Sequence, residues 1–97
     1  MPAYVIVDAA VLDEDVAREY QAAAAESVRL HGGRYLVRDG TPHAQEGIWA
    51  SSRLIVIEFP DLAHITRWYE SAEYRRAREI RKTALPLRML FAEGTAE

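Results

Sequence analysis

Four short runs of β-branched and aromatic residues alternate with two stretches of helical character, and this order limits the possible folds more than any other feature of the chain. The runs are Ala3 to Val11 (AYVIVDAAV), Arg34 to Arg38 (RYLVR), Arg53 to Phe59 (RLIVIEF) and Leu85 to Glu93 (LPLRMLFAE). Each is too short for a helix, and turn or breaking residues bound it, as strands require. Between the first two runs, Asp13 reads as an N-cap. Glu14 and Asp15 in the first turn complement the helix dipole, and the alanine-rich stretch to Leu30 propagates a helix until Gly32-Gly33 ends it. Val16, Tyr20, Ala23, Ser27 and Leu30 are expected to form its buried face. Asp61 caps a second helix through Leu62, Ile65, Trp68 and Tyr69, and Ser71 is placed to bend or restart it through Tyr74, Ala77, Ile80 and Arg81. The connection DGTPHAQEGIWASS is about 14 residues long, a length that is usually functional or partly structured, and it predicts a short extra strand near His43 to Glu46.

The order βαββαβ, with right-handed crossovers, predicts an α+β domain of ferredoxin-like topology: a four-stranded antiparallel sheet with both helices on one face. One domain over residues 1–94, with a frayed tail at 95–97, fits the chain length of 97 residues. A chain of this size buries only about 65% of its unfolded surface, a small margin that favours self-association. Strand parity sharpens that point. One face collects Val5, Val7, Ala9, Tyr35, Val37, Ile55, Ile57, Leu87, Met89 and Phe91, and belongs under the helices. The other mixes Tyr4, Ile6, Leu36, Leu54, Val56 and Leu90 with Asp8, Arg34, Arg38, Glu58 and Arg88. That second face is too apolar to be left in water, so a second copy is expected to cover it and close a two-chain barrel.

Composition excludes several kinds of function. With no cysteine there is no thiol nucleophile, disulfide or thiolate metal site. A formal charge of -3 and a pI near 5.6 argue against a nucleic-acid partner, although arginines crowd Arg67 to Arg88. Residues Met1 to Ala10 lack a basic start and carry Asp8, and no apolar run reaches the roughly 18 residues of a membrane span, so a cytoplasmic protein without a membrane partner is expected. The glycines fit neither GxGxxG nor a P-loop, Ser51 and Ser52 lack a GxSxG setting, and His31, His43 and His64 have no metal-ligand spacing. Neither a cofactor nor a metal is expected.

The remaining candidates are ionisable and aromatic residues. His31, Arg34 and Tyr35 share a helix-to-strand turn, where the His could move a proton on a substrate whose charge the Arg holds; the plainer reading is that His31 caps helix carbonyls. Arg34, Arg38 and Glu58 could bind a carboxylate or enolate with Glu58 as base, or Arg38 and Glu58 could pair with each other. Trp49 could wall a pocket or, the favoured reading, anchor a subunit interface. Trp68, Tyr69 and Tyr74 follow helical spacing and read as core or rim packing, with Tyr74 the one kept as a candidate pocket hydroxyl. Arg75, Arg76, Arg78, Arg81 and Lys82, interleaved with Glu73 and Glu79, read as a solvated helix face.

AYVIVD, HGGRYLVRDG, EGIW, RLIVIEFPD and WYESAEYRRAREIR, in this order and over nearly the whole chain, resemble domain-of-unknown-function family thirteen-thirty of the dimeric α+β barrel superfamily. Ala72 stands where that family's WYxSPEY segment usually has proline, and His64 where a carboxylate is common. The resemblance implies a ferredoxin-like homodimer and supplies no catalytic residue. The wider superfamily spans cofactor-independent monooxygenases, haem-degrading enzymes, lactone isomerases and ligand-sensing domains, so fold alone assigns no activity. Two functions fit. One is binding of a small anionic or enolisable metabolite in a cleft between sheet and helices, extending to cofactor-independent acid/base chemistry of monooxygenase or isomerase type. The other is a non-catalytic dimerisation or ligand-binding module.

Overall fold

The computed structural model describes residues 1–49, 53–82 and 86–95, with the side chain of Asp39 excepted. The elements run β1 (Ala3–Ala9), α1 (Glu14–Leu30), β2 (Arg34–Gly40), β3 (Arg53–Phe59), α2 (Leu62–Glu70), α3 (Ala72–Arg81) and β4 (Leu87–Glu93). The sheet order is β2-β3-β1-β4 and every neighbour is antiparallel, as the sequence predicts. Sheet and helices form two layers, giving a slab of 36 × 36 × 15 Å. Among the described residues, no helix is long and apolar enough to cross a membrane.

Caps set the helix ends. The Asp13 carboxylate accepts from the N–H groups of Asp15 and Val16, Asp61 accepts from that of His64, and Ser71 Oγ accepts from that of Tyr74. The expected interruption at Ser71 is therefore a helix end and a helix start on one residue, whose φ of -67° and ψ of 155° are extended. At the end of α1, the Gly32 and Gly33 N–H groups turn back to the carbonyls of Arg29 and Val28 at 3.4 and 3.0 Å, with Gly32 at φ 83°.

Under the helices lie Ala3, Val5, Val7, Ala9, Ile55, Ile57 and Phe59, closed over by Ile65, Trp68, Tyr74 and Ala77. Alternation along β1 and β3 places each of their residues on the predicted face. The buried face of α1 is different: Ala17, Tyr20, Ala24, Ser27 and Val28 go in, whereas Val16 and Ala23 are half-buried and Leu30 is exposed. Small side chains at positions 17 and 24 let the helix approach its neighbours closely. Two buried polar groups are fully used, for the Trp68 Nε1–H donates to Ser27 Oγ at 2.9 Å and that hydroxyl donates to the Ala24 carbonyl at 2.6 Å.

Other expectations need correction. His43 to Glu46 forms no strand, only an irregular connection. β1 stops at Ala9 rather than Val11, and β2 runs on to Gly40. The predicted β4 start at Leu85, Ser51 and Ser52 in the connection, and the last two residues of the tail lie outside the described residues.

Candidate functional site

The site is defined by an irregularity in β2. Arg34 lies opposite Glu58 and Tyr35 opposite Ile57, but Val37 comes next, opposite Val56. Two steps along β2 thus match one along β3, so Leu36 is the extra residue of a β-bulge and the faces invert beyond it, until a second register shift between Val37 and Gly40 returns Gly40 to its place opposite Leu54. Val37 joins the open face in register with Val56, contrary to its parity in the sequence. Arg38 turns to the helix side, contrary to the prediction that it shares the open face with Glu58. Its guanidinium carbon sits 4.9 Å from the centroid of the Tyr35 ring, in a cation–π stack.

The open face then carries three cross-strand rows. Leu90, Ile6, Val56 and Val37 form an apolar middle, with Arg88, Asp8 and Leu54 on one side and Ala92, Tyr4, Glu58 and Arg34 on the other. Glu58 is bonded by Arg34 Nε at 2.8 Å, which replaces the expected Arg38–Glu58 pair, and Asp8 is paired with Arg88. Asp8 and Glu58 are about a fifth exposed (21% and 23%), while their arginines stand out at 78% and 72%. Trp49 lies over this same face, its Nε1–H donating to the Glu46 carbonyl at 2.7 Å. With Ile6, Leu54, Leu90, Asp8 and Arg88 it lines a groove of about 300 Å³.

On the helix side, a cavity of about 20 Å³ lies between α1 and the sheet, walled by Val7, Ala24, Ile55, Ile57, Trp68 and Met89, with Tyr20, Gln21, Tyr35 and Arg38 as its polar members. That volume holds one water. Outside it runs a groove of about 330 Å³ lined by Ala22, Ala25, Glu26, Val28, Arg29 and Gly33, and again by Tyr35 and Arg38. The Tyr35–Arg38 stack therefore partitions an outer groove from an inner cavity. Glu26 and Arg29 are bonded to each other through two nitrogens at 3.0 and 2.6 Å, so the charge at the partition is that of Arg38.

Deeper in, the Tyr20 and Tyr74 hydroxyls share a hydrogen bond of 2.9 Å. Burial raises the pKa of both phenols, strongly for Tyr20, so both are neutral hydrogen-bonding groups at ordinary pH. Tyr74, read from sequence as packing with a candidate pocket hydroxyl, is fully buried, as packing requires, and reaches the cavity only through Tyr20. Arg81, read as part of a solvated face, acts on both phenols, and its Nε is buried without a hydrogen-bond partner among the described residues.

The proposed proton carriers lie elsewhere. His31 Nε2 is 2.8 Å from Glu73 Oε1, so its side chain ties the end of α1 to the start of α3 instead of capping carbonyls or joining Arg34. His64 Nδ1 lies 2.7 Å from Asp61. Among the described residues, no group of three or more His, Asp or Glu side chains is placed to hold a metal ion. Sequence reasoning missed Tyr20 and Gln21 as site residues, because a tyrosine at helical spacing looks like packing and nothing local marks the α1 face that the cavity meets.

A four-stranded antiparallel sheet with strand order β2-β3-β1-β4 and helices on one side gives the chain a ferredoxin-like α+β fold. Residues 2–95 match the family described as domain of unknown function (DUF1330), and the chain belongs to that family. Among solved structures, a protein of unknown function from Rhodopseudomonas palustris superposes with a TM-score of 0.80 at 13% identity, over 99% of this chain and 84% of that one. A dimeric ferredoxin-like protein of unknown function from a Jannaschia species gives 0.72 at 13% identity, over 97% and 100%. A candidate antibiotic-biosynthesis monooxygenase from Nitrosomonas europaea gives 0.55 at 15% identity, over 97% and 98%. No curated protein matches the sequence.

Proposed function

We propose that the protein is a homodimer, paired through the open sheet face, that binds a small anionic or enolisable molecule in the cleft between sheet and helices. The placement of Arg38 carries this reading: the β2 bulge takes a cation off the sheet face and sets it on Tyr35 at the mouth of a mostly apolar cavity. Moving that one side chain would join cavity and groove into a space of ligand size, on the order of 300 Å³ or more. Such sites combine apolar walls with a few orienting polar groups, and here Arg38, Tyr35, Gln21 and Tyr20 supply them.

Binding is better supported than proton transfer. Glu58 and His31, the two candidate bases, each have a partner and neither lines the cleft, while the buried Tyr20 phenol holds its proton. The likeness to the Nitrosomonas europaea protein is one of fold and adds no chemistry. The dimer reading rests on the apolar row Leu90, Ile6, Val56 and Val37, which water would otherwise meet.

Native mass spectrometry of gently purified protein tests both parts. The expected result is a dimer carrying a retained small molecule that Arg38→Ala releases without dissociating the subunits. A folded monomer at micromolar concentration would refute the pairing, and a retained molecule indifferent to Arg38→Ala would refute the site. A second reading, a dimerisation module without a ligand, draws on the ion pairs Arg34–Glu58 and Asp8–Arg88 flanking the apolar row, where they could fix register between subunits.

A further inference from the structure

We infer that the molecule taken up in the cleft is a compact organic monoanion, a carboxylate on a small apolar or aromatic body, held by the Arg38 guanidinium and by a hydroxyl proton of Tyr20. This deepens the cleft reading above and rests on it.

Three observations restrict the ligand. The first is charge. At the partition the Glu26 carboxylate is engaged by Arg29, so Arg38 presents the cationic group to the space on either side. A guanidinium stacked on an aromatic ring keeps its in-plane N–H donors free to point outward, which suits a planar carboxylate bound through two hydrogen bonds. The second is the body. Val7, Ala24, Ile55, Ile57 and Met89 offer no hydrogen bonds to a polyhydroxylated or multiply charged molecule, which would lose hydration there without compensation.

The third is a proton count. The Tyr20 and Tyr74 hydroxyls hold two protons and use one between them. The cation Arg81, beside both, can accept neither. Either hydroxyl can donate in that bond; with Tyr74 donating, the Tyr20 proton is left to the cavity, which Tyr20 and not Tyr74 lines. An anionic oxygen satisfies it, and so does a water until the ligand arrives. A cation would meet Arg38 and this donor together and be repelled. The ligand is also small, since outer groove and inner cavity measure about 330 and 20 Å³.

Benzoate and its neutral isostere benzamide separate charge recognition from shape in the full-length protein. Methyl resonances of Ala24 and Ile55 report on the cleft and those of Leu54 and Leu90 on the open face, with titrations carried into the millimolar range. Benzoate is expected to shift the cleft methyls and saturate at one site per chain, with benzamide about tenfold weaker, the discrimination of a charge-assisted pair. Arg38→Gln should bring benzoate to the benzamide level, and Tyr20→Phe should weaken benzoate severalfold while both variants keep the parent far-ultraviolet spectrum. If both probes shift the cleft methyls equally, or Arg38→Gln changes nothing, the anion assignment fails while the cleft stands. If benzoate shifts only the open-face methyls, the cleft fails with it. No shift at any methyl with either probe overturns the proposed ligand class. Should Tyr20→Phe not fold, Gln21→Leu beside it and Arg38→Lys give the decision: lysine keeps the charge without the bidentate fork, and must fall between parent and glutamine.

Discussion

Replacing Ser27 by alanine removes one oxygen from the most buried polar contact of the helix layer, and its cost can be worked out in advance. Ser27 is fully buried, and its Oγ accepts from the indole N–H of Trp68, itself about 1% exposed. Loss of the acceptor leaves that N–H buried with no partner, a penalty of about 1–3 kcal/mol. The hydroxyl's bond to the Ala24 carbonyl disappears too, but that carbonyl lies inside α1, where the helix ladder serves it, so the loss is small. Alanine is the better helix former and returns about 0.5 kcal/mol. The net expectation is a destabilisation of about 1.5 kcal/mol, or roughly 10 °C in Tm for a domain of this size. The assay is urea unfolding at one fixed protein concentration, because an associating chain gains stability with concentration. A cycle with Trp68→Phe completes the reasoning: in the phenylalanine background no N–H remains to be stranded, so Ser27→Ala should cost nearly nothing there, giving a coupling of at least 1 kcal/mol. A Ser27→Ala cost below about 0.5 kcal/mol, with additive effects in the cycle, would mean that the indole finds another acceptor, and the account of this contact would be wrong.

Three further outcomes follow from the same structure. Gly33→Ala should destabilise by about 1–3 kcal/mol in the same unfolding assay, since a Cβ there would sit 2.7 Å from Phe59 Cζ and 2.8 Å from Val28 Cγ1, both packed in the core. Tyr20 and Tyr74 have pKa values raised above 10.0 by burial, so the native state binds their protons more tightly than the unfolded chain; their contribution is whole below pH 10 and is lost as pH rises beyond it. Tyrosinate absorbance should therefore show two of the five tyrosines ionising only together with loss of the folded circular dichroism signal. Asp61, bonded by the ring and backbone N–H of His64, has a pKa below its ordinary 3.8; its contribution is present above that value and fades as the pH falls through the lowered pKa. Asp61→Asn keeps a capping oxygen, so its unfolding midpoint should match the parent in strong acid and fall behind only as pH rises.

The sequence by itself determined the element order, the caps at Asp13, Asp61 and Ser71, the stop at Gly32-Gly33, and the two faces of β1 and β3. These are local: a cap needs its oxygen within three residues, and a regular strand alternates wherever it lies. The tertiary structure decided the rest. Alanine dominates the middle of α1, so hydrophobicity hardly distinguishes its sides, and close packing selected Ala17 and Ala24 over Val16 and Ala23. The Glu58 partnership was undecided in sequence because Arg34 and Arg38 share the same parity; only pairing with β3 gave it to Arg34. A bulge is a property of two strands, since the extra residue exists only relative to the register of the partner. One such residue, Leu36, reverses the faces of the residues after it until a second register shift before Gly40, which is why the chain alone put Arg38 on the open sheet and the fold put it at the cleft.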